Sequence, residues 1–167
     1  MGVIDLIFRS SSPAAMTIHI LHDDTDATID VHPGQRLVRL TWKRPVAGAE
    51  YRALLLRLLD VVKEQQLKLW LSDGRRAGPI LYADQVWTMQ DYTPLVLAAG
   101  LQRIAIVNSK DGLNLLAVDR MVNATPEGAP YEIGFFEDPA IAQLWLMDPS
   151  RSKVDIGVPP GPEEAGR

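Results

Sequence analysis

Apolar and polar residues alternate along three segments near the start of the chain. The segments span residues 17–21, 28–32 and 37–42, and turn-forming residues separate them. A period of two is typical of strands with one buried face, so the pattern predicts an antiparallel three-stranded meander. The residues predicted to fill its inner face are Ile18, Ile20, Ile29, Val31, Val38, Leu40 and Trp42. The residues predicted to lie on its solvated outer face are Thr17, His19, Asp30, His32, Arg39 and Thr41.

The pattern then changes to the period of a helix. Between residues 51 and 62, apolar side chains recur at spacings of three and four, which places them on one stripe of a helix. The stripe consists of Tyr51, Leu54, Leu55, Leu58, Leu59 and Val62. Leu56 falls among the charged residues of the other side and is a candidate for contact with a partner.

Strands and helices alternate through the rest of the chain. Strands are predicted over 68–71, 103–107 and 131–136, and helices from about residue 80 to 92, over 113–122 and from Pro139 onward. Pro79 suits a first helical turn, whereas Pro94 should interrupt the helix it falls in. This alternation predicts right-handed crossovers between parallel strands. The predicted fold class is α/β: a mixed sheet with an antiparallel N-terminal meander, followed by βα units whose helices pack on the sheet.

The length and the ends of the chain predict a single domain. At roughly 100–200 residues per domain, 167 residues correspond to one. Residues 1–15 are predicted to form a flexible leader, because they end in the polar, turn-prone stretch 9–15. Residues 148–167 are predicted to form a flexible, proline-rich tail, because so few apolar residues cannot offset the entropy cost of ordering. The domain is therefore expected over residues 16–147.

Composition and charge narrow the classes of function. Asp and Glu number 21 against 17 Lys and Arg, a net charge of −4, so we expect no nucleic-acid binding. The chain contains no cysteine, which removes thiol chemistry and Cys-ligated metals. No apolar run approaches the roughly 18–20 residues that span a bilayer, so no membrane insertion is expected. The expected location is the cytoplasm, and no cofactor is predicted.

The segment that follows the predicted strand 68–71 is the strongest candidate for a binding site. Ligands in α/β proteins tend to lie beyond the carboxyl ends of strands. Gly74 and Gly78 permit close approach of the backbone, and Arg75 and Arg76 supply donors for a small anion. In the alternative interpretation, Asp73 pairs with an arginine and merely orders the loop.

Aromatic residues on the following helix suggest two further sites. An apolar pocket between helix and sheet, for a lipid or another small hydrophobic molecule, could be lined by Trp70, Tyr82, Trp87, Met89 and Tyr92. Tyr82 and Met89 belong to the same wide apolar arc, which could equally contact a second copy of the chain. Plain core packing is the alternative to both, since aromatic residues at helical spacing usually serve that purpose.

Metal binding and nucleophilic catalysis receive little support. His19, His32 and Asp30 could share one face of the meander, but imidazoles there are usually solvated, so no metal site is predicted. Neither Ser72 nor Ser109 lies in a Gly-x-Ser-x-Gly elbow, so no catalytic residue is assigned.

Several segments carry a resemblance to a known family. They are residues 70–78 (WLSDGRRAG), 84–87 (DQVW), 94–105 and 131–138 (YEIGFFED), followed by Ala142, Trp145 and Leu146. In order and spacing the chain resembles the STAS/SpoIIAA-like group, and in particular small bacterial proteins with a STAS/SEC14 domain. The similarity covers about residues 16–147.

The resemblance implies a fold and a class of function. Anti-sigma-factor antagonists of this superfamily carry a phosphorylatable serine in an Asp-Ser-x-Gly loop, whereas this chain has Ser72-Asp73-Gly74. The related STAS/SEC14 proteins have no established reaction, so the resemblance implies no catalytic residues. We expect a non-enzymatic regulatory or protein-interaction module with an unknown protein partner, gated by a small anionic ligand. The alternatives are a carrier of a lipid or small hydrophobic molecule, and a hydrolase or transferase.

Overall fold

The structure, a computed structural model, describes residues 17–148 and residue 150. Its six strands are β1 (His19–Asp23), β2 (Ala27–His32), β3 (Leu37–Trp42), β4 (Leu69–Asp73), β5 (Arg103–Val107) and β6 (Glu132–Phe136). Its five α-helices are α1 (Gly48–Glu64), α2 (Tyr82–Trp87), α3 (Thr93–Leu97), α4 (Gly112–Asn123) and α5 (Pro139–Met147). The leader predicted at 1–15, and the predicted tail apart from residues 148 and 150, lie outside the described residues.

The six strands form one mixed sheet in the order of the sequence, β1 to β6. β1, β2 and β3 pair antiparallel, and β3 to β6 pair parallel. The predicted α/β class, with an antiparallel meander followed by βα units, is confirmed. β4, predicted as an interior strand, lies between β3 and β5.

Helices α1 to α4 lie over one face of the sheet. Each connection between parallel strands steps in the same direction across the sheet, and right-handed crossovers then place their helices on the same side. The predicted stripe of α1 is confirmed, since all six of its residues are buried in the core on this face, while Leu56 is exposed.

On the opposite face, α5 is the only one of the described helices, and it covers β4, β5 and β6. Trp145 lies against Phe136 with ring centroids 5.3 Å apart. Asp138 begins the helix by accepting hydrogen bonds from the backbone N–H groups of Ala140 and Ile141, which satisfies two of the helix's free donors.

The prediction that Ile18 and Ile20 belong to the core is wrong. They are 47% and 63% exposed, and the neighbouring Leu21 packs against the core instead. Ile20 pairs with Asp30, and cross-strand partners point to the same side of a sheet. The register shifts between Ile20 and His22, so one extra residue in β1 reverses the side that the alternation predicts.

The predicted solvation of Asp30 and His32 is also wrong, since both are buried. His32 Nε2 lies 2.8 Å from Asp30 Oδ1, and Arg39 Nε donates to Asp30 Oδ2 over 3.0 Å. These two bonds satisfy both oxygens of the carboxylate, which allows the group to leave water.

Two boundaries around β4 differ from the predicted ones. Ser72 and Asp73 continue the strand rather than opening the loop. The next helix begins at Tyr82 and not near Pro79, since residues 78–81 form no regular secondary structure. As expected, Pro94 interrupts the helix: a π-helical turn over Thr88–Tyr92 precedes α3.

Among the described residues, no helix combines the length and the apolar character that crossing a membrane requires.

Candidate functional site

A cavity of about 170 Å³ lies between the sheet and the helices α3 and α4. Its lining combines the inward-facing side chains of β4, β5 and β6 with side chains of the two helices and of the loops that follow β4 and β5. The cavity therefore reaches the carboxyl ends of parallel strands, where ligands of α/β proteins usually bind.

Two rows of side chains form the floor of the cavity. In the first, Trp70 pairs with Ile104, which pairs with Ile133. In the second, Ser72 pairs with Ile106, which pairs with Phe135. All six residues line the cavity, because alternate residues of a strand point to the same face.

Helix α4 forms a wall of the cavity rather than a layer packed on the sheet. Only Asn114 and Ala117 of its twelve residues are buried, whereas α1 buries seven. Four apolar residues of α4 line the cavity without being fully buried: Val118, Met121 and Val122 are half-buried, and Leu115 is exposed. The inner face of α4 thus meets open space where a close-packed protein would place side chains.

The loops at the carboxyl ends of β4 and β5 are bonded to each other and to α4. Ser109 Oγ donates to the carbonyl of Ala77 over 2.6 Å, and Asn114 Nδ2 donates to the carbonyl of Gly78 over 2.8 Å. Gly74 N donates to the carbonyl of Val107 over 2.9 Å. These bonds join three segments into a defined rim.

The two glycines of the rim are required by close contacts. A Cβ atom on Gly74 would lie 2.8 Å from the carbonyl oxygen of Val107. A Cβ atom on Gly78 would lie 2.5 Å from Cγ of Pro45. Both distances are shorter than carbon contacts in proteins allow, so only glycine fits without movement of the backbone.

Two buried tyrosines of the lining, Tyr51 and Tyr92, are neutral. Tyr92 Oη donates to the carbonyl of Leu55 over 2.8 Å, and burial raises the pKa of Tyr92 well above its usual value. Tyr51 Oη lies 3.2 Å from Thr88 Oγ1, and burial raises its pKa to about 12. Both phenols therefore stay protonated at neutral pH.

Arg44 is the one charged residue of the lining as the structure describes it. Its side chain is exposed and forms an ion pair with Asp26. The interior of the cavity consequently presents no uncompensated charge to a ligand.

Within the described part of the chain, one buried side-chain polar atom of the lining residues has no partner. Trp70 is 8% exposed, and its Nε1 donor makes no hydrogen bond within the described part of the chain. Buried N–H groups are nearly always paired, so an exception at a cavity is a candidate contact for a ligand.

Only part of the loop predicted to bind an anion lines the cavity. Gly74 and Gly78 line the cavity, whereas Asp73, Arg75 and Arg76 do not. Arg75 bonds to both oxygens of the buried Asp73, as the alternative interpretation of this loop predicted. Arg76 is exposed. The anion site therefore stays a prediction for Arg76 and its surroundings.

Likewise, only some of the aromatic residues predicted to line a pocket do so. Trp70 and Tyr92 line the cavity; Trp87 does not, but stacks on Tyr92 at 5.5 Å and on the guanidinium of Arg52 at 5.4 Å. Tyr82 is 70% exposed, Leu56 is 40% exposed and Met89 is half-buried, so all three are accessible as the predicted interface residues.

Sequence reasoning did not identify the wall formed by α4 or the floor formed by β5 and β6. The alternation of Ile104 and Ile106, continued by Ile133 and Phe135, was the available signal for the floor. For α4, the available signal was a predicted helix that is rich in apolar residues.

Comparison with known proteins found no matching family model, no matching curated protein and no matching solved structure. The resemblance to the STAS/SpoIIAA-like group therefore stays a prediction from the sequence, and the function rests on the geometry of the site.

Proposed function

We propose that this domain binds a small, mostly apolar molecule in the cavity between α4 and the sheet. The observation that supports this function is the cavity itself, with aliphatic and aromatic side chains on its floor and on its α4 wall. Such a cavity is unfavourable when empty, because its lining loses dispersion contacts and water gains few hydrogen bonds there. A ligand of matching shape restores those contacts.

The volume limits the size of the ligand. An engineered apolar cavity of about 150 Å³ in another protein holds benzene, so about 170 Å³ corresponds to one ring with a small substituent. Pockets for drug-sized ligands measure roughly 300–1,000 Å³. The proposal therefore refines the predicted carrier function toward a fragment-sized molecule and away from a two-chain lipid.

Thermal unfolding with cumene as the probe tests the proposal. At ten times its Kd, cumene should raise the Tm of the wild type by about 5 °C, because it stabilises only the folded state. Val118→Phe places a larger side chain in the cavity and should abolish the shift. Leu116→Phe, on the exposed side of the same helix, is the matched control and should retain it.

Two results would overturn the proposal. One is a wild type whose Tm responds neither to cumene nor to smaller hydrocarbons such as toluene. The other is a Val118→Phe variant that responds as strongly as the Leu116→Phe control.

A second candidate function is the protein-interaction module, for which we propose a second copy of this chain as the partner. One observation favours it: four large apolar side chains near the junction of α2 and α4 are 55–70% exposed, namely Leu81, Tyr82, Leu113 and Leu116. Arg120 Nη1 donates to Gln85 Oε1 over 2.9 Å and joins the two helices there. Contiguous exposed apolar surface is typical of interfaces.

Light scattering distinguishes this candidate. If the surface mediates self-association, the wild type has the mass of a dimer and Leu113→Glu with Leu116→Glu has that of a monomer. A monomeric wild type, or a dimer that survives both substitutions, would exclude self-association through this surface.

The hydrolase or transferase alternative finds no supporting geometry. Ser109 Oγ donates to a backbone carbonyl, while His22 and His32 lie 2.9 and 2.8 Å from aspartates. Within the described residues, neither histidine is bonded to a serine.

A further inference from the structure

Trp70 lines the cavity with an aromatic side chain that also carries a hydrogen-bond donor. Its indole lies in the first row of the cavity floor, beside Ile104. The Nε1 atom of this indole is buried and has no hydrogen-bond partner in the described part of the chain. An indole N–H can only donate, so the group that completes it must be an acceptor.

Several other polar side chains of the lining have partners of their own. Tyr92 Oη donates to the Leu55 carbonyl, and Thr88 Oγ1 lies within hydrogen-bond distance of the Asp84 carbonyl and of Tyr51 Oη. Ser109 and Asn114 donate to the carbonyls of the rim. A ligand would have to break an existing bond to engage any of these groups, whereas the buried Trp70 Nε1 has no bond within the described residues to lose.

The charge of the lining determines the charge of the ligand. Arg44 is held by Asp26 at the exposed margin, and the remaining lining residues are neutral. An ionised ligand would lose its hydration without gaining a counter-charge, which is strongly unfavourable in an apolar site. A neutral molecule loses much less hydration free energy when it enters the cavity.

We propose that the cavity selects a neutral, mostly apolar molecule with one hydrogen-bond acceptor, such as an aryl ketone, and that Trp70 Nε1 donates to that acceptor. This inference rests on the proposed function and adds the chemical class of the ligand. The apolar walls supply contact area, and the indole N–H selects molecules that present a carbonyl or ether oxygen to it.

Three probes with the same number of non-hydrogen atoms test the proposal by calorimetry. Acetophenone carries a carbonyl, cumene replaces its oxygen by a methyl group, and benzoate carries a charge. The wild type should bind acetophenone about five to ten times more tightly than cumene, which corresponds to one net hydrogen bond. Benzoate should bind at least about tenfold more weakly than acetophenone.

Substitution of the tryptophan identifies the donor. Trp70→Phe keeps an aromatic ring and removes the N–H, so it should bind acetophenone and cumene with equal affinity. Trp87→Phe, which alters a tryptophan outside the lining, should retain the preference of the wild type.

An NMR measurement on the wild type needs no variant and covers the case in which Trp70→Phe does not fold. Acetophenone should move the indole N–H resonance of Trp70 downfield, as a new hydrogen bond does, and cumene should not. Equal affinity of the wild type for acetophenone and cumene, or tighter binding of benzoate, would overturn this inference while leaving the proposed function intact. Absence of binding by all three probes would instead overturn the proposed function.

Discussion

Arg75 holds Asp73 by both oxygens of its carboxylate: Nε lies 3.0 Å from Oδ1, and Nη2 lies 2.8 Å from Oδ2. Asp73 is buried at the end of β4, while the guanidinium reaches into solvent. The hydrogen bonds to Asp73 raise the pKa of Arg75 above its usual value. A side chain that looked like an anion receptor in the sequence therefore serves as the partner of a buried carboxylate.

This pairing predicts that the two adjacent arginines differ in their effect on stability. Arg75→Ala should lower the free energy of unfolding by about 1 kcal/mol, because Asp73 loses a partner while solvent screens part of the charge. Arg76→Ala should change it by less than about 0.5 kcal/mol, as exposed positions usually do. Urea unfolding of both variants measures the difference, and equal losses would contradict the assigned role of Arg75.

A buried carboxylate also joins α2 to the start of α1. Asp84 is 1% exposed; its Oδ2 accepts from Gly48 N over 2.7 Å and its Oδ1 from Arg52 Nε over 2.9 Å. Asp84→Ala should lower the free energy of unfolding by about 2–4 kcal/mol, because two donors lose their acceptor. Asp91→Asn, an exposed position of the adjoining helical turn, is the control for urea unfolding. A loss no larger than that of the control would contradict this role.

Alkaline pH should destabilise the protein through Tyr51. Its pKa is raised to about 12 in the folded state by burial, so the folded chain keeps a proton that the unfolded chain releases near pH 10. The stabilisation is complete below pH 10 and is lost as the pH rises through 12. From pH 9 to pH 11, the wild type should lose about 1.4 kcal/mol more than Tyr51→Phe in urea unfolding. An equal loss in both proteins would contradict the assignment.

The contact between Gly78 and Pro45 predicts a strong effect of a single methyl group. Gly78→Ala should cost about 1–3 kcal/mol, because the new Cβ would overlap the proline ring. Gly112→Ala is the matched control, since a Cβ there meets nothing within 4 Å and alanine favours the first turn of α4. Thermal unfolding compares the two variants. If Gly78→Ala were as stable as Gly112→Ala, the rim would be looser than described.

The patterns of single elements could be predicted because they depend on local chemistry. The stripe of α1, from Tyr51 to Val62, is a property of helical spacing and is buried as expected. The break before Pro94 follows from the missing N–H of proline. In β1 the same reasoning failed, because one extra residue between Ile20 and His22 changes which side chains face the core.

The sequence could predict where the candidate site lies, but it could not predict all the residues that line it. Gly74 and Gly78 mark the loop beyond β4, and Trp70 was expected to line a pocket between helix and sheet. The contribution of Val118 and Phe135 depends on how far α4 stands from β6. That distance is set by packing between elements remote in the chain.

The sequence by itself determined the order of strands and helices, the direction of the crossovers and the apolar stripe by which α1 packs on the sheet. Periodicity, chain connectivity and side-chain chemistry suffice for these properties. Only the tertiary structure decided that Arg75 is committed to Asp73, that α4 leaves a cavity over the sheet, and that Trp70 Nε1 lacks a partner there. Each of these depends on distances between residues far apart in sequence, which no local pattern records.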